Sequence, residues 1–209
     1  MRVLHLTTEF PPVVYGGLGT AVGGLAHASA RAGMDVAVLV VGEGAVGGYR
    51  TSGGSGGSRF DGGPGVAVFT TPWPDAPENA LELVRRWSPD VIHLHVFWLS
   101  GIAHHLHAET GTPVAYTVHS LDLAEYEIGH GPLECLHQWT VQEAAISSAA
   151  IVIAPTRSER ELVAQYCPQV VSRLVVAGHG IDDVPALSFP SASRRPTVLF
   201  AGRFVDRNQ

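Results

Sequence analysis

Lysine is missing from this chain. All 13 of its lysine-plus-arginine positions are arginine, which excludes a phosphate-binding P-loop lysine or a Schiff-base lysine from the segment. Cysteine is scarce as well: Cys135 and Cys167 stand far apart, with no C-x-x-C spacing. That pattern predicts two reduced thiols in a cytoplasmic protein rather than a disulfide framework. No apolar run approaches the roughly 18 residues a membrane helix needs, and the first residues lack signal-peptide character. The expectation is a soluble chain with no transmembrane segment. Positive charge is also short: the net charge is −6, so nothing resembles the basic footprint of a nucleic-acid partner.

What is present is enough for a core. At 209 residues and 45% hydrophobic, the chain can form one large α/β domain, or one domain and part of another. Val3–Leu6 is a short apolar run of the kind a buried parallel strand shows. Asp35–Val41, Val66–Phe69, Asp90–His95, Val114–Val118, Ile151–Ile153 and Leu174–Val176 repeat that pattern. Helical segments fall between them, at Pro77–Trp87, Leu99–Glu109, Glu134–Ala149 and Arg157–Tyr166. This alternation predicts a Rossmann-like, doubly wound parallel sheet. Gly42–Gly65 and residues 119–133 are expected to be loops. Residues 1–184 make the domain, the proline-bearing stretch 185–196 a linker, and residues 197–209 the first strand of a second domain.

The first strand does not run straight into its helix. Pro11 and Pro12 hold the chain extended, and Gly16, Gly17 and Gly19 allow a bend. A helix follows, with Leu18, Val22, Leu25, Ser29 and Ala32 on one face and Gly33 at its end. A glycine elbow opening a helix can present backbone N–H groups to an anion. A purely structural turn would look the same. The glycines do not read G-x-G-x-x-G, so this is not the dinucleotide fingerprint. Gly23 and Gly24 inside the helix each cost about 1 kcal/mol against alanine, a cost usually offset by something packed close.

Ligands of an open parallel sheet bind outside the carboxyl ends of its strands. Glu9, His95, His119, Thr156-Arg157 and Gly178-His179-Gly180 all follow strands at that edge. His119 can donate or accept near neutral pH, or it can simply cap or satisfy the core. His93 and His95 share a face and could form a metal pair. Spacing supplies no third ligand, and His104, His105 and His107 lack an H-E-x-x-H pattern, so no metal site is expected. Leu136, Trp139, Glu143 and Ile146 follow helical spacing, which puts the Glu143 carboxylate on the sheet-facing stripe. It then needs a structural hydrogen bond or a catalytic task. Thr156-Arg-Ser-Glu159 reads as a capping box.

Thr8-Glu-Phe-Pro-Pro with Gly16-Gly-Leu-Gly19, Val118-His-Ser120, Glu143 with Ala150-Ile-Val-Ile-Ala-Pro-Thr-Arg-Ser-Glu159, Gly180-Ile-Asp182 and Ala201-Gly-Arg203 occur in order. Together they resemble the N-terminal half of retaining GT-B glycosyltransferases of the glycogen synthase and sucrose-phosphate synthase kind. The resemblance implies an acceptor-side domain facing a second domain that binds a nucleotide-diphosphate sugar, the co-substrate. No cofactor or metal is implied.

It assigns Gly16, Gly17 and Gly180 to the donor, and His119 to the donor sugar and its oxocarbenium-like transition state. Arg203 neutralises the leaving diphosphate together with a lysine that this chain does not contain. Glu9, His95, Glu143, Thr156 and Arg157 are left as acceptor-side or structural residues. The position before Gly180, usually asparagine in that family, is His179 here. The partners implied are the donor, a sugar or other hydroxyl acceptor, and the missing C-terminal domain; without that domain the chain is expected to be inactive. A non-catalytic Rossmann-like module for sugars or phosphates is the alternative. A dehydrogenase or epimerase is disfavoured by the missing G-x-G-x-x-G and by the lack of an acidic residue ending the second strand.

Overall fold

The computed structural model describes residues 1–42, 58–127, 129 and 133–180. In chain order these form β1 (Arg2–Thr7), α1 (Gly17–Arg31), β2 (Asp35–Val41), β3 (Ser58–Asp61), β4 (Val66–Thr71), α2 (Ala76–Trp87), β5 (Val91–Leu94) and α3 (Ser100–Thr110). Then come β6 (Val114–Thr117), α4 (Asp122–Glu127), α5 (Leu133–Ser148), β7 (Ile151–Ala154), α6 (Arg157–Tyr166) and β8 (Leu174–Val176). The strands make one sheet in the order β3-β4-β2-β1-β5-β6-β7-β8. Every pairing is parallel except β3 with β4. The α/β, Rossmann-like reading of the alternating pattern is therefore the fold.

Both faces are covered around β2, which is why its seven residues read as one apolar run. Val36, Val38 and Val40 pack with Phe10, Val22 and Ala26 under α1. Ala37, Leu39 and Val41 turn to the other face, which also receives Leu4, Leu6, Ile92 and Leu94 and is covered by α2, α3, α5 and α6. Strand residues alternate between faces, so His5 of β1 and His93 of β5 are left on the α1 side.

Three expectations need correction. Ser58–Asp61 lies in the stretch read as loop, yet it forms an antiparallel edge strand with β4. The loop expected at 119–133 contains α4. The buried face of α1 is Gly19, Val22, Gly23 and Ala26, while Leu25 is 41% exposed. Small residues at i, i+3, i+4 and i+7 bring the helix close to its neighbours, and that approach outweighs the burial of one leucine. The proposed linker 185–196 and second-domain strand 197–209 lie outside the described residues.

Candidate functional site

The strand order reverses between β1 and β5: the chain moves outward from β1 through β2 and β4, then returns to lay β5 on the opposite side of β1. Such a switch point opens a crevice at the carboxyl ends of the strands. Two structures stand there, the glycine loop after β1 and a row of histidines.

The glycine loop is organised by Glu9. Its carboxylate Oε2 accepts hydrogen bonds from the Tyr15 N–H at 2.7 Å and the Gly16 N–H at 3.0 Å. The chain's own carboxylate therefore meets the N-terminal end of α1, where negative charge is favoured. This separates the glycines by role. A Cβ on Gly19 would come within 3.0 Å of Glu9 Oε2, and one on Gly23 within 2.9 Å of the Pro11 ring. Gly23 thus has the close neighbour its helical cost called for. Gly24 has nothing within 4 Å, and neither does the exposed Gly17, which faces open space.

The histidines come from three strands. His5 pairs with His93 in the β1–β5 register, and His95 continues the same face two residues on. His5 Nδ1 lies 2.9 Å from His95 Nε2, and His95 Nδ1 lies 3.1 Å from His119 Nε2. His93 turns aside, its Nε2 bonded to Thr117 Oγ1 at 2.7 Å. His119, just past β6, stacks almost parallel on the exposed His179, ring centroids 5.2 Å apart. The row runs from the core to the crevice.

Burial keeps these rings neutral. It lowers the His5 pKa to about 4, and with the nearby His179 it lowers His119 to about 4. Burial and the neighbouring histidines drive His93 and His95 well below the ordinary range as well. An imidazolium inside the row would lose its water and face other rings that could also charge.

Spacing alone missed His5, because only strand register brings it beside His93. The nitrogens of His5, His93 and His95 lie within 4.8 Å of one another, so geometrically a third ligand does exist. The chemistry fits a metal poorly. The group contains no carboxylate, so a dication there would be a buried charge without a counter-charge. His5 Nδ1, both His95 nitrogens and His93 Nε2 are also already hydrogen-bonded, within the row or to Thr117. The helix histidines serve structure: His104 bonds Ser148, and His107 Nδ1 bonds the Thr112 carbonyl at 2.9 Å.

Glu143 is corrected by one position. The buried polar residue of α5 is Gln142, whose Oε1 accepts from the Asp122 N–H at 2.9 Å and whose Nε2 donates to the Ser120 carbonyl at 2.8 Å. Gln142 thereby ties down the segment that follows His119. Glu143 is only partly buried, and its charge adds to burial in raising the Cys167 thiol to about 11. Asp122 is a second residue the sequence did not single out; burial and Glu125 raise its carboxyl pKa.

Thr156 caps α6 as expected, its Oγ1 accepting from the Glu159 N–H at 3.1 Å. Arg157 and Gly180 are exposed near the same edge. Arg203 lies outside the described residues.

A doubly wound sheet with glycine and histidine groups at its switch point belongs to the class of α/β domains that hold small ligands at that crevice. A family model described as a glycosyl transferase 4-like domain matches residues 16–180, and the chain belongs to that family. It is 26% identical to a glycogen synthase of Mycobacterium tuberculosis, over 97% of this chain and 54% of the relative. It is 31% identical to the α-maltose-1-phosphate synthase of Mycolicibacterium smegmatis, over 98% of this chain and 54% of the relative. The chain thus spans about half the length of these curated relatives. Among solved structures it resembles the catalytic domain of Arabidopsis thaliana starch synthase IV bound to ADP and acarbose. The TM-score is 0.57 at 20% identity, over 87% of this chain and 52% of that one. At that identity the likeness establishes the fold.

Proposed function

We propose that this chain is the acceptor-side N-terminal domain of a retaining glycosyltransferase, which moves a sugar from a nucleotide-diphosphate sugar to an acceptor hydroxyl. The observation that carries the reading is His119, held neutral at the crevice mouth, at the same strand edge as the glycine loop. Breaking a glycosidic bond to a diphosphate builds positive charge at the sugar's anomeric carbon and negative charge on the leaving group. A neutral imidazole can hydrogen-bond a sugar hydroxyl without placing a second positive charge beside the first. The N-terminal end of α1, at Gly17, favours the diphosphate. Glu9 already engages the Gly16 N–H, so its part is to shape the loop.

Arg203 and Gly180 would complete the donor side, with a second domain beginning at residue 197. Helix N-termini and arginine then carry the charge, and the reading requires no metal ion. That the starch synthase is bound to ADP supports a nucleotide donor. On the acceptor side, the exposed Tyr15, Trp73 and Trp98 follow β1, β4 and β5 at the same edge and offer flat apolar faces with polar tips. A cytoplasmic location agrees with the far-apart thiols of Cys135 and Cys167, and among the described residues no helix is long and apolar enough to cross a membrane.

The test is a donor panel on the full-length protein, with nucleotide release and product anomer both measured. Transfer with retention from one donor, cut on the order of 100-fold in His119→Ala, supports the reading. Binding of sugar or phosphate without turnover of any donor would favour a recognition module instead.

A further inference from the structure

The row His5–His95–His119 has one more property: it ends in the core. His5 Nε2 is buried and has no hydrogen-bond partner. Each His–His bond uses one N–H and one lone pair, so neutral rings can fill the row in only two ways. In the inward arrangement His119 donates from Nε2 to His95, His95 donates from Nε2 to His5, and His5 is left with a buried N–H that meets nothing. In the outward arrangement His5 donates from Nδ1, His95 donates from Nδ1 to His119, and the buried end is a bare lone pair. Unpaired buried N–H groups are the rarest of unsatisfied backbone groups, and we take the same preference to hold for an imidazole. His93 does not offer the row another outlet: its Nε2 is bonded to Thr117, and nothing bonds His5 Nε2.

We propose that His5 and His95 are positioning residues that hold His119 in its Nδ1–H tautomer, so that its remaining nitrogen reaches the crevice as a hydrogen-bond donor. The proton that matters at the crevice is then fixed by a ring two hydrogen bonds away. Free neutral histidine leans towards the Nε2–H form, so three Nδ1–H rings in a row would be a property of this fold and not a default. The assignment of tautomers stands on the geometry alone. Its consequence for catalysis, that His119 donates to a hydroxyl oxygen of the sugar, rests on the glycosyltransferase reading above. A wrong tautomer behind a catalytic histidine can cost orders of magnitude in rate while the fold stays intact.

The first experiment needs no variant. Long-range nitrogen–proton NMR correlations on full-length protein labelled with ¹⁵N-histidine report which nitrogen of each ring carries the proton. Single His→Gln variants assign the signals. Nδ1–H on His5, His95 and His119 is the expected result. Nε2–H on His119, or rapid averaging between its two forms, overturns the proposal, whatever the protein's activity.

The second experiment compares His95→Leu with His95→Gln, whose amide can still donate to His119. The leucine variant should lose about 10- to 100-fold in kcat, the range for groups that orient a working side chain, with little change in donor KM. The glutamine variant should recover most of that loss. Equal losses in both variants, with both shown folded by their melting curves, overturn the positioning role. Nδ1–H tautomers in a protein that transfers no sugar would leave the proposal standing and sink the glycosyltransferase reading.

Discussion

The two structures flanking the crevice solve opposite problems. The glycine loop is closed on itself: Glu9 lends its carboxylate to the Tyr15 and Gly16 amides, and Pro11 fills the space a Gly23 side chain would need. The histidine row is open: its rings satisfy one another back into the sheet, and the last of them, His119, keeps a nitrogen for the crevice. A loop completed by the chain's own groups is set for shape. A row that ends in an uncommitted polar atom is set for contact with something outside. Substitutions in the row should therefore be felt first in activity, and substitutions in the loop first in stability.

The largest effect separating the two should come from His119→Ala in the full-length protein. Losing one preorganised donor to a hydroxyl of the reacting sugar should cost on the order of 10² in kcat, the low end of what a donor at a developing oxyanion is worth. The unfolding midpoint should move little, because His119 is only partly buried. A melting loss as large as that of a core truncation, with kcat unaffected, would invert the comparison.

Acid comes next, and from about pH 6.5 downward it strikes the row first. His5 and His119 have folded pKa values lowered to about 4, against about 6.5 in an unfolded chain. Between those values the unfolded state binds more protons, so stability falls as pH drops from about 6.5 towards 4 and is flat above. His93 and His95, shifted the same way, steepen the loss, which comes to about 3 kcal/mol by about pH 4 for a single fully buried ring such as His5. Urea midpoints from pH 4 to 8 would measure it. Carboxylates also protonate at the acid end, so His5→Phe, which should flatten the curve between pH 5 and 6.5, isolates the histidine part.

What the sequence made legible follows from how far apart the interacting residues lie. Apolar strand runs and the Thr156 cap are local, and the structure repeats them. His119 was legible as a polar residue directly after a strand. His5 was not, because its meaning comes from a pairing with β5 that no local pattern encodes. Gln142 was missed for a related reason. Leu136 of α5 is 39% exposed while Ile146 is buried, so the stripe drawn through Leu136, Trp139 and Ile146 put Glu143 on a face that Gln142 and Ala145 occupy instead. The misjudged face of α1 has the same origin, since beside Val22 its contact surface is made of Gly19, Gly23 and Ala26, which carry little hydropathy signal.

The α1 glycines allow a paired test on the loop side. Gly23→Ala would place its Cβ 2.9 Å from the Pro11 ring, and such overpacking costs typically about 1–3 kcal/mol. Gly24→Ala meets nothing within 4 Å and should gain about 0.5–1 kcal/mol from helix propensity. Opposite signs at adjacent positions, measured by urea denaturation, would confirm that Pro11 and not helix propensity governs Gly23. The same sign at both would mean that the proline loop yields easily.

Glu9→Gln gives the smallest effect and the finest test of the comparison. The amide keeps an oxygen that can accept from the Tyr15 and Gly16 N–H groups, so the loop's shape should survive. What is lost is the negative charge at the start of α1, a contribution of about 0.3–1 kcal/mol. The loss should shrink in high salt, since the site is partly exposed. If the glycine loop is set for shape, Glu9→Gln should leave the donor KM within a few-fold of the parent while Glu9→Ala, which leaves both amides without an acceptor, costs more stability. If instead Glu9→Gln tightens binding of inorganic diphosphate by tenfold or more, the carboxylate is a rival of the ligand. The loop would then be as open to outside contact as the histidine row, and the contrast between the two would fail.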